Sequence, residues 1–280
     1  MLSVLFWNLR GNQTDTWAVR APNLQNCLTR LAGKLDIDVF LFAEVEFTAV
    51  DVTHALNAAG SAMYRAPDVP GRRIPLFTRL PAGSVIDRFN HASGRLTISE
   101  VLTASGVKVL LGALHHQSQA VWDSEEQALH ATVLARDMVR TEDVAGHRRT
   151  VLVGDFNMNP FDLGVIAAHT LNAVMDRDIA RAEERTVGGE VYRFFYNPMW
   201  GCFGDRTPGP QGSYFYQASS PASYYWHVFD QVLLRPALMD SLTELRILDH
   251  DGEESLLSDR RRPFAARFSD HLPLLFRLDV

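Results

Sequence analysis

Cysteine is nearly absent: Cys27 and Cys202 are the only two in 280 residues, and no C-x-x-C spacing occurs. That argues against a thiolate metal site or a disulfide framework and fits a reducing compartment. No apolar run approaches the roughly 20 residues of a membrane span. A surplus of positive charge is missing too, since 27 lysines and arginines face 33 aspartates and glutamates for a net charge of −6. Affinity that rests chiefly on neutralising many phosphates usually needs a basic protein, so extended nonspecific duplex binding is disfavoured. There is no internal repeat and no linker that forces a second domain. No basic leader precedes the strand-like Leu2-Ser3-Val4-Leu5-Phe6, and the expectation is a cytoplasmic protein without a secretory signal.

What is present is ordinary for a globular chain. Hydrophobic residues make up 46% and charged residues 21%, enough apolar material for a sizeable core and an expected single domain over 1–280. Strand-like runs recur at Leu2 to Phe6, Val39 to Ala43, Ile74 to Thr78, Arg95 to Val101, Val107 to Leu114, Thr150 to Gly154, Tyr214 to Gln217, Phe229 to Leu234 and Leu274 to Leu278. Helical signals fall between them at Leu24 to Lys34, Val50 to Ala59 and Glu125 to Thr141. In the last, Ser124 and Gln127 have capping-box spacing, and Leu129, Val133 and Met138 mark an apolar side. The pattern predicts two mixed, mainly antiparallel sheets with helices packed outside.

The stretch from Val187 to Trp226 differs from the rest. It gathers Phe194, Phe195, Tyr196, Trp200, Phe203, Tyr214, Phe215, Tyr216, Tyr224, Tyr225 and Trp226 among glycines and prolines. Long irregular segments commonly carry function, and aromatics there stack on bases or wall a pocket; burying a sheet edge is the other reading. Two basic clusters, Gly71-Arg72-Arg73 and Arg260-Arg261-Arg262, read as phosphate contacts or as solvated loop charge.

The most informative motif is Gly154-Asp155-Phe156-Asn157-Met158-Asn159-Pro160, directly after the apolar Thr150-Val151-Leu152-Val153. In an extended segment Asp155 and Asn157 point the same way while Phe156 packs, so a carboxylate and a carboxamide converge at a strand end. An Asx turn is the plainer alternative. Other polar groups also flank apolar runs: Asn8 after the first strand, Glu44 after the second, His115 at the end of another, Asp230 at the start of Asp230-Gln231-Val232-Leu233-Leu234, and Asp270-His271 ahead of the last. Each strand can thus carry one residue to a shared rim.

Taken in order, Trp7-Asn8, Glu44, His115, Gly154-Asp155-Phe156-Asn157, Asp230 and Ser269-Asp270-His271 resemble the endonuclease/exonuclease/phosphatase superfamily, which includes deoxyribonuclease I. The resemblance spans nearly the whole chain. It implies an α+β fold, a four-layer α/β/β/α sandwich with the site where the sheet edges meet, and a requirement for Mg²⁺ or Mn²⁺.

The chemistry can be argued alongside. Mg²⁺ prefers oxygen donors, takes few protein carboxylates and keeps several waters, which makes Glu44 the first candidate ligand, helped by Asn8 and Asp270. Asp155 and Asn157 would orient the attacking water and a phosphate oxygen. His271, steered by Asp230, would act as base or stabilise charge, and His115 would bind the phosphate or assist the leaving oxygen. Which group takes the water's proton stays open. Asn8, Trp200, Tyr214, Tyr216 and Trp226 are candidates for holding substrate; His116 and the histidines at 54, 91, 130, 147, 169 and 250 are given no role. Two departures stand out: Val228 occupies the place where many nucleases of the family carry an arginine, and Arg10 the place where apurinic endonucleases carry an acid. The expected activity is metal-dependent hydrolysis of phosphodiesters in DNA or RNA, with nucleic acid as the partner; the alternative is a phosphatase or phosphodiesterase for a small-molecule or lipid phosphate.

Overall fold

The structure, a computed structural model, describes residues 1–11, 14–60, 62–67, 72–217, 221 and 223–280. Gly71 of the first basic cluster and residues 218–220 and 222 of the aromatic segment lie outside the described residues. Along the chain run β1 (Leu2–Asn8), α1 (Thr14–Lys34), β2 (Val39–Ala43), α2 (Ala49–Asn57), β3 (Leu76–Thr78), β4 (Val85–Asn90), β5 (Leu96–Leu102) and β6 (Lys108–His115). Helix α3 (Ser124–Ala145) leads to β7 (Thr150–Asp155), α4 (Leu163–Ile166), β8 (Ala173–Val174), α5 (Arg177–Ala180), β9 (Glu184–Val187) and β10 (Glu190–Arg193). Then come β11 (Phe195–Tyr196), a 3-10 turn (Pro198–Cys202), β12 (Tyr214–Phe215), β13 (Trp226–His227), β14 (Asp230–Leu234), α6 (Pro236–Met239), β15 (Leu242–Ile247) and β16 (Leu274–Leu278).

Two large sheets form, one in the order β15-β16-β1-β2-β3 and the other β4-β5-β6-β7-β14-β11-β8. Parallel ladders join β1 to β2, β6 to β7 and β8 to β11, and the other ladders of these sheets are antiparallel. With helices outside, this is the expected α+β sandwich.

Strand alternation divides the core. Val109, Leu111 and Ala113 of β6, Val151 and Val153 of β7, and Val232 and Leu234 of β14 share one cluster with the five-stranded sheet and α1. Leu110 and Leu114, Leu152, and Leu233 turn the other way and pack with Leu134 and Met138 of α3. His115, Asp155 and Asp230 have the same parity as the first set. The strands that build the inter-sheet core therefore carry these three polar residues to its end.

Several boundaries differ from the sequence expectation. Helix α1 begins at Thr14 rather than Leu24 and contains Pro22. The α3 cap is Asp123, whose carboxylate accepts from the N–H groups of Glu125 and Glu126 while Glu126 returns a bond to the Asp123 N–H, so the capping box lies one residue ahead of Ser124 and Gln127. Leu129 is exposed, and the buried stripe is Ala131, Leu134 and Met138. Strands β4 and β15 went unread because their burial alternates and charged residues interrupt the apolar pattern. Tyr214 to Gln217 yields only the two residues of β12. The region from 187 to 226 contains the end of one hairpin and several short strands rather than a single loop. No helix among the described residues is long and apolar enough to cross a membrane.

Candidate active site

Strand register assembles the site. The parallel β6/β7 ladder sets His115 opposite Asp155, and the antiparallel β7/β14 ladder sets Asp230 opposite the same residue. The parallel β1/β2 ladder sets Asn8 opposite Ala43, directly before Glu44. Gly154 makes the close β6/β7 approach possible, since a Cβ there would overlap the Leu114 carbonyl. Gly11 does the same where the chain after β1 meets the Glu44 loop: its N–H donates to Glu44 O at 2.6 Å, and a Cβ would strike that backbone.

At the rim, Asn8 Nδ2 donates to Asp155 Oδ2 at 3.0 Å and lies 3.4 Å from Glu44 Oε1, bridging two carboxylates. Its Oδ1 accepts from the Arg10 N–H, so the amide presents donors rather than an oxygen to the carboxylates. His115 Nε2 lies 3.3 Å from Glu44 Oε1 and 3.9 Å from Asp155 Oδ2. Arg10, Glu44 and Asn157 all have positive φ, at 53°, 51° and 50°, an uncommon conformation for non-glycine residues that concentrates at functional sites.

Asn157 reaches the pocket by a route the alternation argument did not give. β7 ends at Asp155, and Asn157 turns left-handed, its N–H donating to Asp155 Oδ1 at 2.8 Å. The Asx turn and the placement of Asn157 at the pocket are thus one structure. Its Nδ2 donates to His116 O, and its carbonyl accepts from Gln127 Nε2 of α3.

His271 is buried, with Nδ1 2.8 Å from Asp230 Oδ2 and Nε2 3.9 Å from Asp155 Oδ2. Trp7 Nε1 donates to its carbonyl, and the Tyr214 ring lies 4.7 Å from its own, centroid to centroid. Burial opposes a charged imidazole, but the charges of Asp230 and Asp155 prevail and hold its pKa up, at about 10. Burial raises Asp155 to about 6; His271 and His115 oppose this shift and Asp230 adds to it. Glu44 is lowered despite its burial, because His115 and Asn8 favour the carboxylate. The ring is therefore a cation at neutral pH, beside an Asp155 carboxyl that burial holds above its ordinary value.

These groups open on a cavity of about 660 Å³ lined by Asn8, Arg10, Glu44, Asp155, Asn157, Tyr214, Tyr216, His227, Phe229, Asp270 and His271, with the 118–120 loop opposite. Four sequence candidates are absent from this lining: His115 faces an adjoining groove and Asp230 is buried behind His271, while Trp200 and Trp226 lie apart from the site. Trp200 packs on Phe161 at 6.0 Å between centroids, and Trp226 turns to the other side of its hairpin. His227, Arg10 and Phe229 were not selected from sequence. For His227 a signal existed in Asn159, the next odd-numbered polar residue of the Gly154–Pro160 motif: its Nδ2 donates to His227 Nδ1 at 3.1 Å, and its Oδ1 accepts from the Val228 N–H. Burial lowers the His227 pKa, and the neutral ring, accepting at Nδ1, carries its proton on Nε2.

A sequence profile described as the Endonuclease/Exonuclease/phosphatase family matches residues 5–271. The chain belongs to this family. Its structure is similar to a truncated TDP2 from Caenorhabditis elegans, with 17% identity, 99% of this chain and 97% of the other covered and a TM-score of 0.55. It is also similar to an AP endonuclease from Archaeoglobus fulgidus, with 13% identity, all of both chains covered and a TM-score of 0.57. A family protein from Bacteroides thetaiotaomicron aligns at 13% identity over 99% and 97% of the two chains, with a TM-score of 0.57. At such identities the likeness is one of fold. A comparison with curated protein sequences found no match. Family membership assigns the chain to the phosphoric ester hydrolases, which in this family generally use divalent metals.

The residues present fit such an ion. Glu44, Asp155, Asp230 and Asp270 bring four carboxylates around the site, with Arg10 and His271 as the paired cations, so negative charge is in surplus. Asp270 pairs with Arg10 through Oδ2 at 3.1 Å, while its buried Oδ1 has no hydrogen-bond partner among the described residues. Hard carboxylate oxygens beside an open pocket suit a hydrated Mg²⁺ or Mn²⁺. Asp155, Asp230 and His271 also lie close enough together to be considered as a ligand trio. Asp230 is wholly buried and its Oδ2 already pairs with His271 Nδ1, whereas Glu44 and Asp270 line the open pocket.

Proposed function

We propose that this protein hydrolyses phosphodiester bonds of DNA or RNA with Mg²⁺ or Mn²⁺. The observation that carries the choice of a polymer is a second groove adjoining the catalytic cavity. It shares Glu44 and Ser118 with that cavity, measures about 610 Å³, and is lined by Arg72, Arg73, Arg95 and His115. Arg72 is committed to Asp87 and Ser99. Arg73 makes no ion pair or hydrogen bond among the described residues, and Arg95 has only the His115 carbonyl. Two guanidiniums without carboxylate partners, next to the hydrolytic rim, suit the phosphate that neighbours the scissile one along a strand. The AP endonuclease fold relative supports the same direction.

In this reading Glu44 and Asp270 would hold the ion, which when bound neutralises phosphate charge and polarises the phosphoryl oxygen; Asn8, expected from sequence to help as a ligand, instead positions the carboxylates, since its Oδ1 is taken by the Arg10 N–H and its Nδ2 donates to Asp155. Asp155 orients the water and accepts its proton as oxygen attacks phosphorus in line. Asn157 donates to a phosphate oxygen, and His271⁺, fixed by Asp230, stabilises the added negative charge. The bond to the leaving oxygen breaks opposite the water, with His115 beside it. Tyr214, Tyr216 and His227 wall the substrate. Cys27 and Cys202 are both free, and we assign the protein to the cytoplasm.

The second reading, a phosphatase or phosphodiesterase for a small or lipid phosphate, draws on the net charge of −6 and the aromatic wall of Tyr214, Tyr216 and Phe229. Incubation with Mg²⁺ or Mn²⁺ and labelled DNA, RNA, nucleotides and phosphoinositides decides between them. Cleavage of oligonucleotides is expected; inertness toward every nucleic acid with phosphate release from small esters would replace the first reading by the second.

A further inference from the structure

A second face of the aromatic segment borders a separate cavity of about 700 Å³. Its walls include Phe215 and Trp226 of the β12–β13 hairpin, the loop from Thr207 to Gln211, and Arg260, Arg261 and Arg262. Alternation explains how one hairpin serves two cavities. Tyr214 pairs with His227 and Phe215 with Trp226. The first pair, with Tyr216, faces the catalytic pocket, and the second faces the arginines. Tyr214 also forms an antiparallel bridge with His271, which ties the hairpin to the catalytic pocket.

The chemistry on the outer face is that of a nucleotide contact. The Arg262 guanidinium lies 4.1 Å from the centroid of the Phe215 ring, which meets Trp226 edge-on at 5.4 Å. Arg262 also donates to Gln217 Oε1 at 3.3 Å. Arg260 and Arg261 are exposed, and among the described residues no salt bridge ties any of the three arginines to a carboxylate. Asp205 and Asp249 border the same cavity, so three positive groups face two negative ones. A cavity of this size accepts a ligand of nucleotide dimensions and not a duplex.

We propose that this groove is a second binding site for single-stranded polynucleotide: bases stack on Phe215 and Trp226, backbone phosphates meet Arg260 and Arg261, and the strand crosses the hairpin to the catalytic pocket. The proposal rests on the nuclease reading above and deepens it. Stacking platforms joined to a basic track are the common means of holding single strands without sequence preference, and each phosphate contact adds about one to the salt slope.

The test measures fluorescence anisotropy of labelled oligo-dT and oligo-U, about 5 and about 18 nucleotides long, in EDTA so that nothing turns over. The proteins are the full chain, Arg260→Gln/Arg261→Gln, the charge-reversed Arg260→Glu/Arg261→Glu, and Arg136→Gln/Arg140→Gln, which removes two exposed charges from α3 instead. The unaltered protein is expected to bind the long strand at least about tenfold tighter than the short one, and the glutamine pair to erase that advantage and lower the salt slope by about two. Charge reversal should weaken the long strand further, and the α3 pair should leave it alone. Equal affinity of the unaltered protein for both lengths, a full length advantage in the glutamine pair, or an equal loss in the α3 pair would each overturn the groove while leaving the nuclease reading standing. Binding of neither length, alongside turnover of small phosphate esters, would overturn both.

Discussion

The rim built from β1, β2, β6, β7 and β14 and the wall built from residues 187–226 border one pocket, yet they are held in place by different means. Rim residues sit at the ends of buried strands whose ladders fix Asn8, His115, Asp155 and Asp230 against one another. Wall residues sit on two-residue strands, and Tyr216, Tyr224 and Tyr225 are 55%, 65% and 48% exposed. The rim cannot shift without moving the inter-sheet core. The exposed tyrosines of the wall can be changed with little cost to the fold, whereas Phe194, Phe195 and Met199 of the same segment are buried in the core.

The difference is open to direct challenge. Asp155→Asn removes the proton acceptor without changing shape, and kcat is expected to fall about 10²- to 10⁴-fold while circular dichroism stays native; a small effect would break the contrast at its strongest point. Gly154→Ala forces a methyl into the Leu114 backbone and should cost about 3 kcal/mol by urea unfolding. Gly201→Ala in the wall meets nothing within 4 Å and should stay within about 0.5 kcal/mol, so similar losses at both glycines would erase the distinction. Tyr216→Ala should raise KM for an oligonucleotide about tenfold, as expected for one lost stacking surface, with little change in kcat.

The smallest effect concerns pH. His116 is wholly buried against His130, with its Nε2 3.0 Å from His130 Nδ1, and burial first, then His130, lowers its pKa to about 3. Between about 6.5 and 3 the unfolded chain binds a proton that the folded ring refuses, so stability falls as pH drops through that window. The contribution is about 1 kcal/mol between pH 7 and 5.5. Unfolding curves for His116→Gln should show a correspondingly shallower loss over that range; an unchanged slope would mean the ring is protonated in the folded protein.

The rim was legible in sequence because period-two burial and a polar residue at each strand end are local signals. The motif at Asp155 was read correctly as a strand end, but the Asx turn was set against a pocket position for Asn157 when the turn is what brings that residue to the pocket. The wall was legible only as composition. Nothing local says which cavities the two faces of the β12–β13 hairpin border, that Trp200 packs on Phe161, or that Asn159 reaches His227 across 68 residues. Helix α1 was read short because Pro22 resembles a boundary, and strands β4 and β15 were hidden by interspersed charges.

The central claim is that the register-built rim hydrolyses phosphodiesters through the Asp230–His271 pair facing Asp155. Its most direct test is the Mg²⁺-dependent rate on a labelled single-stranded oligonucleotide for the unaltered protein and for His271→Ala, with unfolding followed on both. The account predicts a folded variant slowed at least about 10²-fold. A folded variant with near-normal turnover would contradict it.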